Sequence, residues 1–456
     1  MTGDTIAAAA TPAGRGGVAI VRISGTNVPD IGRALLGALP APRYATFARW
    51  TDASGDALDT GLALYFPAPH SFTGEDVLEL HGHGGTVIVE ALLEHLAQLG
   101  ARRALPGEFS QRAYLNDKLD LAQAEAIADL IDAGSRAAAR AALRSLQGEF
   151  SAKVSALREA LITLRVQVEA GIDFPEEHLD LAAHTALRTR ADLLRADLQQ
   201  LLTAAAQGRV LAQGLTVVIA GRPNAGKSTL LNRLAGFDAA IVTPIAGTTR
   251  DLLREQVTIR GIPFELIDTA GLRAVTGDAI EEEGMRRARD AITRADHVLF
   301  VVDAVDDPRA SSLEAERESL PADVPVTVVM NKVDLIASKG KAVNQGTANA
   351  VGQVTNQLAV SAATGTGLEQ LRAHLAGLAG PAEAVGGAFS ARARHVEALR
   401  RASAYLDQAR AHLVRPDPEL AAEELRSAQQ SLGEVVGDLT SDDLLGEIFS
   451  RFCIGK

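Results

Sequence analysis

The residues with the clearest chemistry lie between Gly221 and Ser228 and read Gly-Arg-Pro-Asn-Ala-Gly-Lys-Ser. They match the phosphate-binding pattern Gly-x-x-x-x-Gly-Lys-Ser at every fixed position. In such a loop the backbone N–H groups surround the phosphates, Lys227 reaches the β- and γ-phosphates, and Ser228 offers a hydroxyl to Mg²⁺. An apolar β-branched run precedes the loop and a helical pattern begins at Thr229, so we favour a nucleotide site over a chance glycine-rich turn.

Short motifs further along the chain indicate which nucleotide binds. Residues Asp268 to Gly271 follow an apolar strand, where the aspartate can hold Mg²⁺ through water and the glycine amide can sense a γ-phosphate. At the end of Asn331 to Asp334 a carboxylate can accept two N–H donors of guanine, which adenine does not offer as a pair. The segment Ser361 to Ala363 can support the base, and Thr249 is the expected switch threonine for Mg²⁺. The order of these motifs predicts GTP binding and resembles the translation-factor class of GTPases.

One position is informative because of the residue that it lacks. Ras-like enzymes place a glutamine directly after the Asp-x-x-Gly motif to orient the attacking water, and here Leu272 occupies that position. An aliphatic side chain cannot orient water, so another group must do so. Glu281, the first of three consecutive glutamates, is a candidate catalytic residue. The residues alone favour the alternative that these glutamates are a solvated helix start, stabilised by the helix dipole.

The composition limits the class of protein. At 456 residues the chain should hold about three domains, and 47% apolar with 22% charged residues is typical of soluble globular proteins. The single cysteine, Cys453, excludes intramolecular disulfides and fits a reducing compartment. The first residues lack the basic region of a signal peptide, and no apolar run reaches the ~18 residues that would span a membrane. We therefore expect a cytoplasmic protein without a membrane segment.

The charge also bears on partners. A net charge of −12 argues against non-specific binding of nucleic acid over the whole surface, although it allows a local basic patch. Candidates for such a patch are Arg392, Arg394, Arg400 and Arg401. A solvated helix face explains these four arginines equally well.

The elements that must position the motifs begin with residues 1–118, which are predicted to form a mixed α/β unit. Alternating or continuous apolar runs predict strands at Val18 to Ile23, Gly61 to Phe66 and Asp76 to Leu80. The glycines of Gly82 to Gly85 predict a turn, and helical spacing follows from Thr86 to Leu99.

Residues 119–213 are predicted to be helical. Apolar residues at spacings of three and four predict one long helix, with a single stripe of Leu143, Leu146, Phe150, Val154, Leu157, Leu161, Leu164 and Val168. Pro175 should end this helix. A second helix is expected from about 183 to 206, followed by a linker from Gln207 to Gly214.

Residues 214–379 alternate between strand and helix patterns, which predicts a doubly wound, mostly parallel sheet of the Ras-like P-loop type. The polar stretch from Ala337 to Asn356 is expected to be a mobile loop within it. Residues 380–456 return to helical patterns, and Thr440 to Asp443 resemble a capping box before a last helix. The simplest architecture is one helical domain, built from both flanks, with the nucleotide domain inserted.

The chain resembles the MnmE (TrmE) family of tRNA-modification GTPases over essentially its whole length. The matching segments lie outside the generic GTPase motifs: Ala10 to Gly17, Ser71 to Asp76, Gly82 to Gly85, Pro106 to Phe109, Asn116 to Ile127 and Cys453 to Lys456. The resemblance implies a folate-binding and dimerisation domain at 1–118, a helical domain in two parts at 119–213 and 380–456, and a GTPase domain at 214–379.

The resemblance also implies a reaction and its partners. A homodimer would join an FAD-containing protein of the MnmG type in a heterotetramer and modify C5 of the wobble uridine (U34) of certain tRNAs. The group added is aminomethyl or carboxymethylaminomethyl, and 5-formyl- or 5,10-methylene-tetrahydrofolate supplies its carbon. By matching motifs, the folate contacts are Arg22, Glu79, Lys118 and Lys456. Basic groups suit the glutamate tail of folate and a carboxylate suits the donor edge of its pterin, whereas the residues alone would favour surface ion pairs.

For the nucleotide domain, the resemblance implies pairing of two GTPase domains and K⁺ in place of an arginine finger. The K⁺ ligands would be Asn224 and oxygens of Thr243, Ile245 and Thr248, while Mg²⁺ would be bound by Ser228 and Thr249. Glu281 matches the water-orienting glutamate of the family. The full set of expected GTP contacts is Asn224, Ala225, Gly226, Lys227, Ser228, Thr229, Thr243, Pro244, Ile245, Ala246, Gly247, Thr248, Thr249, Asp268, Thr269, Ala270, Gly271, Asn331, Lys332, Asp334, Ser361, Ala362 and Ala363.

Two other functions compete with this one: an RNA-binding assembly GTPase without modification chemistry, and a purely dimeric switch protein. The folate-type motifs and Cys453 favour the modifying enzyme, because neither alternative needs them. Cys453 is a candidate catalytic residue that follows a helix carrying Ile448, Phe449 and Phe452. A lone cysteine is more often a small buried hydrophobic residue, but its place in a polar tetrapeptide at the chain end favours partial exposure.

Overall fold

A computed structural model describes residues 3–52, 54–173, 181–236, 254–268, 295–316, 324–337, 354–378, 389–414, 417–438, 442–450 and 452–455. The chain divides into two compact units. The first unit comprises Met1–Ala128, Ser145–Asp197 and Ala398–Lys456, and the second comprises Asp129–Arg144 and Leu198–Glu397.

The N-terminal part of the first unit contains a sheet whose order, over the described residues, is β3-β4-β5-β2-β1-β6. Its strands are β1 (Thr5–Ala9), β2 (Gly16–Ser24), β3 (Thr46–Thr51), β4 (Ala57–Phe66), β5 (Val77–Gly84) and β6 (Ala101–Arg103). Neighbouring strands are antiparallel, except that β1 and β6 are parallel. Helices α1 (Val28–Leu36) and α2 (Thr86–Gln98) pack against this sheet.

Alternation along the strands explains why one face of this sheet is a core. Trp50, Leu78 and Leu80 are fully buried together with Ile31 of α1 and Leu96 of α2. Because side chains alternate between the two faces of a strand, Glu79 and His81 lie on the opposite face. That face is covered only in part, and Phe47 and Leu62 remain exposed on it.

The rest of the first unit is helical. Its elements are α3 (Glu108–Leu115), α4 (Leu121–Ile131), α6 (Glu149–Asp173), α13 (Pro418–Val436), α14 (Asp442–Ser450) and the parts of α7 (Leu181–Gln213) and α12 (Ala393–Val414) that belong to it. Helices α6 and α13 come from opposite sides of the nucleotide domain in sequence and pack together. Between them Arg165 donates from Nη1 to Gln429 Oε1 at 2.8 Å.

The second unit contains the other sheet, whose order within the described ranges is β12-β11-β10-β7-β9-β8. All neighbours are parallel except β8 and β9. Its strands are β7 (Leu215–Ala220), β8 (Arg254–Ile259), β9 (Ile262–Asp268), β10 (His297–Asp303), β11 (Val326–Asn331) and β12 (Val354–Ala359). Its helices include α5 (Arg136–Leu146, mostly in this unit), α8 (Lys227–Ala235), α9 (Ser312–Glu316), α10 (Val333–Ala337) and α11 (Leu368–Leu378).

Both faces of this sheet are buried, as expected for parallel strands. One core contains Val217 and Ile219 of β7 with Leu230 of α8 and Leu371 of α11. The other core contains Val218 of β7 with residues of β10 and β11. Strands that are apolar on both faces therefore form the centre of the unit, and polar residues appear where the strands end.

Two helix predictions were wrong. The stripe from Leu143 to Val168 does not lie on one helix, because α5 ends at Leu146 and α6 begins at Glu149. Gly148 between them has a φ of 85°, which ends a helix readily, and Leu143 is exposed rather than part of a buried stripe. The linker predicted from Gln207 also proved helical, since α7 continues to Gln213.

The turn predicted at Gly82 to Gly85 was wrong in part, because β5 continues to Gly84. An added Cβ at Gly82 would meet Asp59 Oδ2 at 2.4 Å, so this glycine allows a close approach between strands. Over the part of the chain that the structure describes, no helix combines the length and the apolar character needed to cross a membrane.

Candidate functional site

The phosphate-binding loop joins β7 to α8 and has a backbone that few residue types adopt. Asn224 and Gly226 have positive φ angles of 63° and 93°. A Cβ added at Gly226 would lie 2.3 Å from Asn331 Nδ2, so only glycine fits both the angle and the space. Because α8 begins at Lys227, its N-terminal N–H groups and dipole can stabilise phosphate charge at this loop.

Lys227 is buried within the loop. Its Nζ donates to the carbonyl oxygens of Gly221 at 2.8 Å and Arg222 at 2.9 Å. A buried ammonium group needs polar partners, and these two carbonyls hold it beside the N-terminus of α8. The positive charge of Lys227 is thus fixed where the phosphates of a nucleotide would be bound.

Ser228 and Asp268 come from separate motifs and are in direct contact. Ser228 Oγ donates to Asp268 Oδ2 at 2.7 Å. Ser228 lies at the start of α8, after the loop that follows β7, and Asp268 ends β9. Because β7 and β9 are parallel neighbours, that loop and the end of β9 meet at the same sheet edge. Hydroxyl and carboxylate oxygens are ligands that Mg²⁺ prefers. The two residues therefore fit a magnesium ion bound beside the phosphates.

Asn331 connects two further motifs to the phosphate loop. Its Nδ2 donates to the Ala225 carbonyl at 2.9 Å, and its Oδ1 accepts from the Ala362 N–H at 3.0 Å. Asn331 is itself buried. One side chain at the end of β11 thus holds the phosphate loop and the Ser361 to Ala363 segment at a fixed separation.

Lys332 has a positive φ of 65° and forms an ion pair with Asp303 at the end of β10, with Nζ to Oδ2 at 2.6 Å. Burial works to raise the pKa of Asp303, but hydrogen bonds from Lys332 and the Val305 N–H lower it below its usual value. The ion pair fixes the turn that leads into Asp334, a half-buried residue in the first turn of α10.

Sequence reasoning did not identify Arg233 of α8. Its Nε donates to the Ala362 carbonyl at 3.1 Å and its guanidinium also donates to the Ala363 carbonyl at 2.6 Å. Ser361 is fully buried and its Oγ accepts from the Thr364 N–H at 3.1 Å. The base-supporting segment is therefore held by the same helix that begins at the phosphate loop. An arginine on a helix gives no sequence signal of such a role.

The structure brings together the predicted nucleotide residues from Asn224 to Thr229 with Asp268, Asn331, Lys332 and the Ser361 segment. Asp334 lies in the first turn of α10, and the remaining predicted residues of this site lie outside the described residues: Thr243, Pro244, Ile245, Ala246, Gly247, Thr248, Thr249, Thr269, Ala270, Gly271 and Glu281.

The N-terminal sheet carries a second cluster of charged residues on its partly open face. Arg22 Nε donates to Glu79 Oε1 at 2.9 Å, and His81 Nε2 lies 3.2 Å from Glu79 Oε2. The guanidinium of Arg22 lies over the rings of Phe72 and Phe109, at 5.3 Å and 5.7 Å from the centroids. This set combines a cation, an anion and the partly exposed ring of Phe72, which suits a planar heterocycle with polar edges, whereas the ring of Phe109 is fully buried beside Arg22.

Lys118 does not contact Arg22 or Glu79. Its Nζ donates to the Pro69 carbonyl at 3.0 Å, and its side chain lies beside Gly74. The fourth residue predicted for folate, Lys456, lies outside the described residues. Of the four predicted folate contacts, the structure therefore brings only Arg22 and Glu79 into direct contact with each other.

The Ser71 to Asp76 segment supports this region. Glu75 Oε2 accepts from Ser24 Oγ at 2.7 Å and from Arg112 Nη1 at 3.0 Å. Asp76 accepts from the Tyr65 hydroxyl at 2.7 Å. Burial and the Asp76 carboxylate raise the pKa of Tyr65 to about 12. The acidic residues of this segment thus hold a loop against the sheet.

Cys453 follows α14 and is exposed, as predicted. Its carbonyl accepts a hydrogen bond from the Gly107 N–H at 3.4 Å. Cys453 lines a cavity of about 720 Å³ together with the strand β1, the loop Thr11 to Gly16 and the start of α2. Among the described side chains no group of three or more His, Cys, Asp or Glu residues is arranged to hold a metal ion.

Two family models match the chain. The model described as "GTP-binding protein TrmE N-terminus" matches residues 5–118, and that described as "MnmE helical domain" matches residues 121–453. The first match covers the N-terminal sheet and the second runs through the nucleotide domain to Cys453.

Curated relatives are similar over the full length. A tRNA modification GTPase MnmE of Methylococcus capsulatus is 53% identical and covers 99% of both chains. That of Alkalilimnicola ehrlichii is 55% identical over 100% of both chains, and that of Pseudomonas syringae pv. tomato is 54% identical over 99% of both. At this identity and coverage the chain belongs to the MnmE (TrmE) family of tRNA modification GTPases.

Proposed function

We propose that this chain is a K⁺-stimulated GTP hydrolase whose hydrolysis drives C5 modification of the wobble uridine of tRNA. Membership of the family makes it a GTP-hydrolysing enzyme with a role in tRNA modification. The binding of GTP is supported by one observation above all. Ser228, Asp268 and Asn331 lie together at the carboxyl edge of one parallel sheet. In open α/β sheets this edge is where nucleotides bind.

The ions are assigned from the donors that the loop presents. Ser228, with Thr249, would hold Mg²⁺, which neutralises charge that develops on the transferred phosphate. Asn224 is exposed on the phosphate loop and would give its amide oxygen to K⁺, with oxygens of Thr243, Ile245 and Thr248. Neutral oxygens suit a large monovalent cation. Glu281 would orient the attacking water in place of the missing glutamine.

The folate part rests on the Arg22–Glu79 pair beside Phe72 and Phe109. The carboxylate of Glu79 would accept from the donor edge of the pterin, and the hydrogen bond from Arg22 would hold that carboxylate in place. Lys118 and Lys456 would complete the site for 5-formyl- or 5,10-methylene-tetrahydrofolate. The role assigned to Cys453 is catalytic contact with the reacting group, and its exposure beside a cavity supports this.

The architecture proposed is a folate-binding and dimerisation domain at 1–118, a helical domain from 119–213 and 380–456, and an inserted GTPase domain of the Ras-like P-loop type at 214–379. The contact of α6 with α13, from opposite sides of the insertion, supports it. The chain would act as a cytoplasmic homodimer with an FAD-containing MnmG-type protein, in a heterotetramer.

The test is made in a strain that lacks the gene. The tagged chain is expressed in that strain, bulk tRNA is digested, and the wobble nucleosides are quantified by mass spectrometry. We expect unmodified uridine to accumulate without the chain, and the modified nucleoside to return with the wild type but not with Lys227→Ala at equal protein level. The tagged chain should co-purify with a flavoprotein. An unchanged nucleoside profile in the deletion strain would favour the RNA-binding assembly GTPase instead.

A further inference from the structure

Glu79 is held at both carboxylate oxygens. Arg22 Nε lies 2.9 Å from Oε1, and His81 Nε2 lies 3.2 Å from Oε2. An ionised carboxylate can only accept hydrogen bonds, so the Nε2 of His81 must carry the proton that is shared between them. Arg22 had a predicted role at this site, whereas His81 had none.

The sheet register explains why His81 reaches Glu79. Both residues lie on β5, two positions apart, and therefore on the same face. The cross-strand neighbours of His81 are Leu62 on β4 and Ile20 on β2, and neither can bond to an imidazole. Glu79 faces Leu64 on β4 and Arg22 on β2. The charged or titratable groups that the described strands direct at Glu79 are thus Arg22 and His81.

We propose that His81 is a positioning residue that fixes the Glu79 carboxylate for the pterin ring of folate, and this inference rests on the proposed folate site. A carboxylate held at one oxygen can still rotate about its bond to the chain. A second donor on the other oxygen fixes its plane. Each oxygen keeps another lone pair, so the two oxygens can still accept from two N–H groups of a ligand.

Partial burial of Glu79 and His81 strengthens the hydrogen bond between them. The side chains of Glu79 and His81 are 16% and 26% exposed, so water competes less for them than at an open surface. A nearby histidine provides a contrast: His83 Nδ1 lies 2.7 Å from Asp59 Oδ1, with its side chain 66% exposed. The hydrogen bonds of His83 go to Asp59 and not to Glu79, so His83 serves as a matched control on the same strand.

Two substitutions separate positioning from a merely structural role. In His81→Gln the amide nitrogen can occupy the position of Nε2 and donate to Glu79. In His81→Asn the amide lies near the position of Nδ1 and cannot reach the carboxylate. Both remove the ring, so damage to the strand would affect them alike, whereas loss of the hydrogen bond affects only the asparagine variant.

The experiment measures the dissociation constant of the full chain for 5-formyltetrahydrofolate by isothermal titration calorimetry. We expect His81→Gln and His83→Asn to stay within about 3-fold of the wild type and His81→Asn to bind about 10-fold more weakly, as loss of one bond to a charged group requires. Equal affinities of His81→Asn and the wild type would overturn the role of His81 alone, as would equal weakening of both His81 variants. A wild-type chain that binds no folate would overturn the proposed folate site together with it.

Discussion

Asn331 and Ala225 are joined by a hydrogen bond of 2.9 Å from the asparagine side chain to the backbone of the phosphate loop. The base-recognition motif thereby sets the position of the phosphate-binding motif. Because the oxygen of the same amide accepts from the Ala362 N–H, the three segments that we propose to surround a guanine nucleotide share one buried side chain.

We expect Asn331→Ala to weaken GDP and GTP binding by about 10- to 100-fold, since it leaves a buried carbonyl and a buried N–H without their partner. Titration with a fluorescent guanine nucleotide measures the change. Thr327→Val is the matched control, because Thr327 is buried on the same strand near its other end. That variant should stay within about 3-fold of the wild type. Nucleotide affinity unchanged in Asn331→Ala would contradict the bridging role.

A residue's role can be predicted from the sequence when a local requirement, such as a backbone angle, selects its type. It cannot be predicted when a contact with a distant segment selects it. The strand, loop and helix around Gly226 were predicted correctly, because the sequence pattern reserves a glycine for this backbone angle and a lysine for the helix start. Gly208 was misread as part of a linker. An added Cβ there would lie 1.6 Å from the Phe389 carbonyl, so this glycine is needed for the close approach of another segment, and the helix continues through it.

The contacts that join distant segments could not be predicted from spacing. Arg233 lies 129 positions from Ala362, and its type suits any exposed helix face equally well. His81 lies just before the turn predicted at Gly82 to Gly85, and no role could be assigned to it until its register with Leu62 and Ile20 was known. Short-range patterns thus identify elements and motifs, whereas the residues that tie motifs together depend on tertiary contacts.

Asn224 is expected to control the response to monovalent cations. It lies on the exposed part of the phosphate loop with a positive φ of 63°. GTP hydrolysis should be faster in KCl than in NaCl at equal ionic strength, and Asn224→Ala should remove that difference. The steady-state release of phosphate in both salts measures it. Equal wild-type rates in the two salts would refute the K⁺ assignment, and a variant that still prefers KCl would remove Asn224 from it.

His297 should make the second unit less stable in acid. Its Nε2 lies 2.9 Å from Thr327 Oγ1, and that hydroxyl lies 2.8 Å from His374 Nε2. Burial, with a smaller effect of His374, lowers the pKa of His297 from 6.5 to about 4. Above pH 6.5 the imidazole is neutral whether folded or unfolded. Between 6.5 and 4 the unfolded chain takes up the proton first, so the free energy of unfolding falls as the pH falls.

The effect of His297 on the pH dependence of stability is tested by thermal unfolding between pH 7.5 and 4.5. The transition of the second unit is the one that GDP shifts to higher temperature. We expect His297→Gln, which cannot titrate, to lose about 1–3 kcal/mol less over this range than the wild type. His83→Gln in the first unit should leave the pH dependence of that transition unchanged. A His297→Gln profile parallel to the wild-type profile would show that another group titrates.

The last helix fixes the chain end near Cys453. Phe449 and Phe452 are buried against Leu121 and Ala124 of α4. A Cβ added at Gly107 would lie 2.5 Å from the Phe449 carbonyl, so α14 fits closely against the turn before α3. Chain ends usually fray unless they are held in this way. The packing therefore gives the exposed thiol of Cys453 a defined position, which a residue with a chemical role requires.

We expect Cys453→Ser, and separately deletion of residues 454–456, to abolish modification of the wobble uridine. GTP hydrolysis should remain, because the nucleotide residues belong to the second unit and Cys453 to the first. Both activities are measured on the same preparations, by phosphate release and by nucleoside analysis of tRNA. Phe452→Ala serves as the packing control: it should lower the thermal stability of the first unit, whereas Cys453→Ser should not. A Cys453→Ser protein that still modifies tRNA would leave this cysteine with no part in the chemistry.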